Sequence, residues 1–189
     1  MAYSILTILL LAFFISFQSL ATFHVNGDTS LIERTCKASN YYDLCINSLK
    51  SNLNSSLNAD TKGLAIIMVK VGVANATSTN AYLSTQFLTT VNGNDTQMKK
   101  LINDCAKRYS YAIDALQASL QDLNADLYDY AYMHVMAAED YPNVCRNNFR
   151  RSSKGSLAYP PELAAREDAL KHICEVVLGI IDSLAGGDL

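Results

Sequence analysis

No tract of Lys and Arg interrupts this 189-residue chain, whose 15 basic and 18 acidic side chains leave a formal charge of −3. That mild acidity offers no footprint for a polyanion and excludes nucleic acid as an expected partner. No segment alternates apolar and polar residues with the period of two that a half-buried strand requires, which excludes a sheet-based fold. Enzyme and metal signatures are missing as well: no C-x-x-C, H-E-x-x-H, P-loop, G-x-G-x-x-G or G-x-S-x-G occurs. The histidines, at 24, 134 and 172, are scattered, and His172-x-Cys174 sends its two side chains to different helix faces. Neither a metal nor a cofactor is therefore expected. Carboxylates adjoin at Glu139-Asp140 and Glu167-Asp168, but neighbours on a helix diverge by about a quarter turn and do not converge as a general acid and base must. They read as solvated faces, and no catalytic residue is visible. Trp is absent beside 11 Tyr, which identifies no function.

What the chain does have begins with residues 5–17 (ILTILLLAFFISF), an unbroken apolar run followed by small residues at Ser19 and Ala21. The run is short for a membrane span, and the sequence after it turns polar abruptly. Residues 1–21 read as a cleaved secretion signal, with an uncleaved anchor as the alternative. No membrane association is expected after cleavage. Secretion makes disulfides the default state of Cys36, Cys45, Cys105, Cys145 and Cys174, with one cysteine left over. Sequons at Asn54, Asn75 and Asn94 are glycosylation candidates. Asn94 is the best placed, beside an Asn92-Gly93 turn, whereas a glycan on Asn75 has to point outward from a helical segment.

The remainder divides into a small unit over 22–59 and a larger one over 60–189. In the first, Ser30 can cap a helix through Ile32 and Cys36, and Asn40 can start another through Leu44, Cys45 and Leu49. The Ser/Asn-rich stretch from Ser51 to Asn58 separates these two helices from the larger unit. Asp60 is a plausible cap for a long helix reaching about Val91, with a seam of Leu64, Ile67, Val71, Ala74, Ser78, Ala81, Thr85 and Leu88. Asp95 caps the next, whose seam runs through Met98, Leu101, Cys105, Tyr109, Ala112, Leu116 and Leu120 to about Asn124. A third starts near Asp126 and carries Met133, Met136, Ala137 and Cys145 to about Arg151, with Pro142 expected to kink or interrupt it. After a loop over 151–159, Pro160-Pro161 opens a last helix with the seam Leu163, Leu170, Ile173, Val177, Ile180 and Leu184. Glu162 with Arg166, and Glu167 with Lys171, place opposite charges four apart on its wet side. The expected fold is all-α: an up-and-down four-helix bundle behind a small N-terminal helical hairpin.

Two bridges drawn from five cysteines can be arranged in many ways, and sequence alone does not select among them. Cys36 and Cys45 flank the hairpin turn, and Cys105 and Cys145 lie on consecutive antiparallel helices. Bridges at these pairs would contribute roughly 2.5 and about 4 kcal/mol respectively through loop entropy. Cys174, on a mostly apolar stripe beside Ile173 and Val177, then reads as a buried free thiol, with an intermolecular bridge as the alternative. One constellation stands out. Tyr128-x-Tyr130-x-Tyr132 puts Tyr128 and Tyr132 on one helix face and Tyr130 almost opposite, which suits either a core-and-rim arrangement or a partner-binding edge.

Together these residues resemble the plant invertase inhibitor and pectin methylesterase inhibitor family. The resemblance covers about residues 29–186. It rests on Ile32-x3-Cys36-x8-Cys45, on Asn103-Asp104-Cys105-x3-Tyr109-x4-Asp114-Ala115, and on Met136-Ala137-Ala138 with Val144-Cys145-x3-Phe149, completed by the last helix with Cys174. It implies a disulfide-stapled four-helix bundle with bridges Cys36–Cys45 and Cys105–Cys145 and a free Cys174. It also implies a secreted, non-catalytic protein of the cell wall, with the vacuole as an alternative. Its partner would be a secreted carbohydrate-active enzyme, whose substrate cleft it obstructs by reversible docking. Invertase-directed members carry a Pro-Lys-Phe motif early in the third bundle helix. Counting back from Cys145, the corresponding positions here are Tyr128, Asp129 and Tyr130. With proline and lysine both missing, the expectation tilts to pectin methylesterase, with acid invertase as the alternative and a non-inhibitory structural or ligand-carrying bundle as the rival of a different class. The groove of the second and third bundle helices is the expected contact surface, with Tyr128, Asp129 and Tyr130 in it.

Overall fold

The computed structural model describes residues 31–87, 96–152 and 158–186. The expected secretion signal, the cap candidates Ser30 and Asp95, Leu88, and the sequon at Asn94 with the turn expected beside it lie outside the described residues. So do residues 153–157, within the stretch expected to form a loop. All regular structure in the described residues is helical.

The N-terminal unit comprises α1 (residues 31–37), α2 (Tyr42–Ser51) and α3 (Leu53–Ser56). Too short to bury much of its own surface, the unit is stapled by a Cys36–Cys45 disulfide (S–S 1.98 Å). The entry to α2 differs from the expectation: Ser39, not Asn40, shapes it, its Oγ accepting from the Tyr41 N–H at 3.0 Å. The stretch read as a separator is itself a helical turn. It is anchored by the buried Ser56, whose hydroxyl donates to the Leu49 carbonyl at 2.9 Å. Tyr41 stacks on His172 with ring centroids 4.0 Å apart, and Ala38 lies against Gly179, so the unit rests on the last helix.

The bundle itself is built from four long helices. The first, α4 (Thr61–Ala81), continues into a π-helical turn (Tyr82–Phe87); α5 spans Thr96–Asn124, α6 Tyr128–Arg151 and α7 Pro161–Gly186. They pack in a ring, α4 on α5, α5 on α6, α6 on α7 and α7 on α4, which is the arrangement of an up-and-down bundle. A Cys105–Cys145 disulfide (S–S 1.95 Å) ties α5 to α6, and Cys174 is buried and unbridged. Burial pushes its thiol pKa well up, so it stays protonated and inert.

Asp60 caps α4, its carboxylate accepting from the Gly63 N–H at 2.7 Å. Asp60→Ala removes that acceptor and is expected to cost about 1 kcal/mol of unfolding free energy by urea titration; no change would show that water replaces the cap.

The seam of α4 starts as expected with Leu64 and Ile67 buried, but its second half turns in a different register. Met68, Gly72, Ala76 and Thr79, followed by Leu83, are buried, whereas Ala74, Ser78, Ala81 and Thr85 are exposed. The close approach occurs at Gly72, where a Cβ would lie 3.3 Å from Leu116 and 3.4 Å from Ile173. Neighbouring helices fill the space a side chain would need, and the bundle axis closes around it. Pro142 does not interrupt α6. It is buried within a continuous helix, one turn from the bridged Cys145, so packing and the disulfide hold the chain helical across the missing N–H.

Glu167 corrects the reading of the last helix. It is only 4% exposed, and it faces inward rather than lying on the wet side with Lys171. Tyr159 donates its hydroxyl to Glu167 at 2.6 Å, and Arg146 reaches the same carboxylate at 3.1 Å and Asp168 at 3.2 Å. Lys171 instead sits 4.0 Å from Glu139 and 3.9 Å from Glu175. The Glu162–Arg166 pair forms as the spacing predicts, at 3.0 Å.

Desolvation raises the Glu167 carboxyl above its ordinary range, against the opposing pull of Tyr159 and Arg146. Glu139 is raised as well, first by burial and then by Glu175. A carboxyl with a raised folded-state pKa binds its proton more tightly folded than unfolded. Stability from these two groups is therefore full below the unfolded carboxylate value and is lost as pH rises through the folded one. In thermal melts these two groups are expected to pull the melting temperature down as pH rises across that window, against the opposite contribution of carboxyls held low by a partner, and Glu139→Gln with Glu167→Gln is expected to remove that downward pull. A slope unchanged in the double variant would assign the effect elsewhere.

Candidate functional site

The α5–α6 turn sets the site. Leu127 N–H bonds to the Asp122 carbonyl at 2.9 Å and Asp126 N–H to the Leu123 carbonyl at 3.3 Å, closing the end of α5 with Asp126 at φ 59°. This is a helix stop normally filled by glycine, which aspartate tolerates better than most residues. Asp126 Oδ1 accepts from both Lys62 Nζ at 2.8 Å and the Tyr128 hydroxyl at 2.9 Å. The Lys62 hydrogen bond, then that of Tyr128, holds the carboxyl below its usual range. One carboxylate thus pins the turn to the start of α4 and sets the first residue of α6.

With the turn fixed, the first half of α6 presents two unlike faces. Ala131, Val135 and Ala138 point into the bundle, with Tyr128 and Tyr132 half-buried at its edge. On the outer side stand Leu127 (47% exposed), Tyr130 (59%), Met133 (63%) and Met136 (51%), with the exposed Asp129 among them. Four of the large apolar side chains that are exposed therefore occupy ten consecutive residues, a concentration that single scattered exposures do not produce. A groove of about 340 Å³ runs beside them, lined by Tyr128, Asp129, Tyr132 and Met133 of α6 and by Ile181, Asp182 and Ala185 of α7. A second opening continues it past Leu127 and Tyr130.

Tyr128, Asp129 and Tyr130 thus come together at one end of the bundle. The groove they line lies between α6 and α7, not between α5 and α6 as expected. On the α5 side, His134 Nδ1 lies 2.6 Å from Asp122 Oδ2. Sequence reasoning placed Met133 and Met136 on the third bundle helix without marking them as surface residues. The signal was present in the spacing Ala131, Val135, Ala138, Pro142, Cys145 and Phe149, an alternation of four and three carried mainly by small side chains. Asn54 is exposed on α3, while Asn75 is half-buried with its Oδ1 fully covered.

Among the described residues no group of three or more His, Cys, Asp or Glu could hold a metal, and no helix is long and apolar enough to cross a membrane. The apolar face with its acidic rim offers contact area instead.

Known proteins place the chain further. The family described as "Plant invertase/pectin methylesterase inhibitor" matches residues 30–180. "Cell wall / vacuolar inhibitor of fructosidase 2" of Arabidopsis thaliana is 50% identical over 184 residues, covering 97% of this chain and 99% of the relative. "Pectinesterase inhibitor 28" of Oryza sativa subsp. japonica is 40% identical over 157 residues, covering 80% of this chain and 68% of the relative. Among solved structures, a mutant form of a pectin methylesterase inhibitor from Arabidopsis superposes with a TM-score of 0.62 at 22% identity, over 78% of this chain and 92% of that one. At that identity the likeness shows the fold alone.

Proposed function

The chain belongs to the plant invertase/pectin methylesterase inhibitor family, whose members are inhibitor proteins rather than enzymes, and from that premise we propose that it inhibits a secreted acid fructosidase (invertase). The observation that carries the choice of target is the 50% identity, over nearly the full length of both chains, to a relative named for fructosidase inhibition. The outer face of α6, with Leu127, Tyr130 and Met133, docks at the rim of the enzyme's cleft and blocks substrate entry. Aromatic and sulfur side chains supply contact area at low entropic cost, and an interface of this kind should bury over about 1,000 Å². Removal of residues 1–21 delivers the protein to the cell wall or vacuole, and of the two sequons among the described residues the exposed Asn54 is the one placed to carry a glycan.

A second reading, inhibition of pectin methylesterase, is favoured by one observation: Tyr128-Asp129-Tyr130 stands where invertase-directed members carry Pro-Lys-Phe. Titrating the disulfide-intact protein into acid invertase and, separately, into pectin methylesterase at mildly acidic pH decides between them. Stoichiometric loss of invertase activity alone supports the first reading, and loss of esterase activity alone replaces it with the second. If neither enzyme responds, the inhibitor reading falls for both targets.

A further inference from the structure

Of the methionines in the described residues, Met68 is fully buried and Met98 half-buried, whereas Met133 and Met136 stand 63% and 51% exposed one turn apart on α6. Met133 lines the groove with Tyr128, Tyr132 and Ile181, and Met136 lines the adjoining one with Tyr132, Glu139 and Leu178. The most accessible thioethers thus lie within the apolar face itself, and Cys174, the one free thiol among the described residues, is buried and held protonated. We propose that Met133 and Met136 form an oxidation site through which hydroperoxides weaken the docking of this protein to its target. The inference rests on the docking reading given above.

The chemistry is a two-electron oxygen transfer. A thioether lone pair attacks one peroxide oxygen, the O–O bond breaks, and an S–O bond forms. The proton on the transferred oxygen moves to the departing one, which leaves as water or an alcohol. Sulfur is oxidised to the sulfoxide and the peroxide is reduced, with no further reagent needed. A flexible apolar side chain becomes a polar one with a strong acceptor oxygen, and reductase enzymes specific for methionine sulfoxide reverse the change. Placed in a desolvated contact without a donor opposite, that oxygen is expected to weaken inhibition about tenfold to a hundredfold. Neither sulfur is in the core, so the fold is expected to survive the change.

The test treats the disulfide-intact protein with dilute hydrogen peroxide and follows each methionine by peptide mass spectrometry. The inhibition constant is measured on the responding enzyme before treatment, after it, and after methionine sulfoxide reductase. Met133 and Met136 are expected to oxidise well before Met68, with inhibition lost in step and restored by the reductase. Met133→Leu/Met136→Leu, compared with itself before and after peroxide, is expected to show no such loss. Equal oxidation of Met68, or a peroxide effect of the same size in the double variant, overturns the proposal. So does unchanged inhibition by protein oxidised at both positions. If untreated protein inhibits neither enzyme, the docking reading fails separately, the weakening step falls with it, and the order of oxidation still decides whether the two sulfurs are the preferred site.

Discussion

Cys105→Ala combined with Cys145→Ala lowers the unfolding free energy by about 4 kcal/mol, the largest loss expected from removing any single cross-link of this protein. The bridge spans 40 residues, so cutting it returns a large amount of conformational freedom to the unfolded chain. Both cysteines are fully buried, and alanine leaves the α5–α6 contact without a polar orphan. Opening the Cys36–Cys45 loop, a separation of only 9, is expected to cost nearer 2.5 kcal/mol. Against a typical domain stability of about 5–15 kcal/mol, the first loss is large enough to bring a marginal domain close to unfolding at its working temperature. Urea titrations of the two double variants under matched conditions read the difference. A larger loss from the hairpin pair would mean that the N-terminal unit, not the α5–α6 lock, limits the stability of the bundle.

Leu127→Ala with Tyr130→Ala is expected to raise the inhibition constant about a hundredfold while leaving the melting temperature nearly unchanged. Two exposed side chains that add little to the fold are what a protein can dedicate to a partner. Half-buried Tyr128 is different, because it also donates to Asp126 and packs against the core, so its removal would mix folding with binding. Matching inhibition curves for the double variant and the unaltered protein would move the contact surface elsewhere on the bundle. A lower melting temperature together with weaker inhibition would mean that the face is structural.

Much of the fold was legible because helix caps and breaks are local. Asp60 caps where it was expected to, and Pro161 opens α7 at a position where proline costs nothing. Seam register was less legible, because a run such as Val71 to Thr85 contains small and apolar residues on more than one face. Which face turns inward was decided by Gly72 meeting Leu116 and Ile173 from two other helices, a relation between distant segments. Glu167 was misread for the same reason. Its partners Arg146 and Tyr159 come from α6 and from the segment before α7, so spacing within one helix favoured Lys171 instead. At the site, the Tyr128–Tyr130 segment was found from its composition. Its neighbour across the groove, the end of α7, was not, since nothing in Ile181, Asp182 and Ala185 marks them as facing α6.

Hydroxyl-radical footprinting of the protein alone and in its complex with the responding enzyme tests most directly whether the outer face of α6 is what the target covers. Labelling of Leu127, Tyr130, Met133 and Met136 is expected to fall in the complex, while Tyr42 and Leu53, exposed on the N-terminal unit, keep theirs. Protection of Tyr42 and Leu53 with the α6 side chains still labelled would contradict the account and place the inhibitory surface on the hairpin.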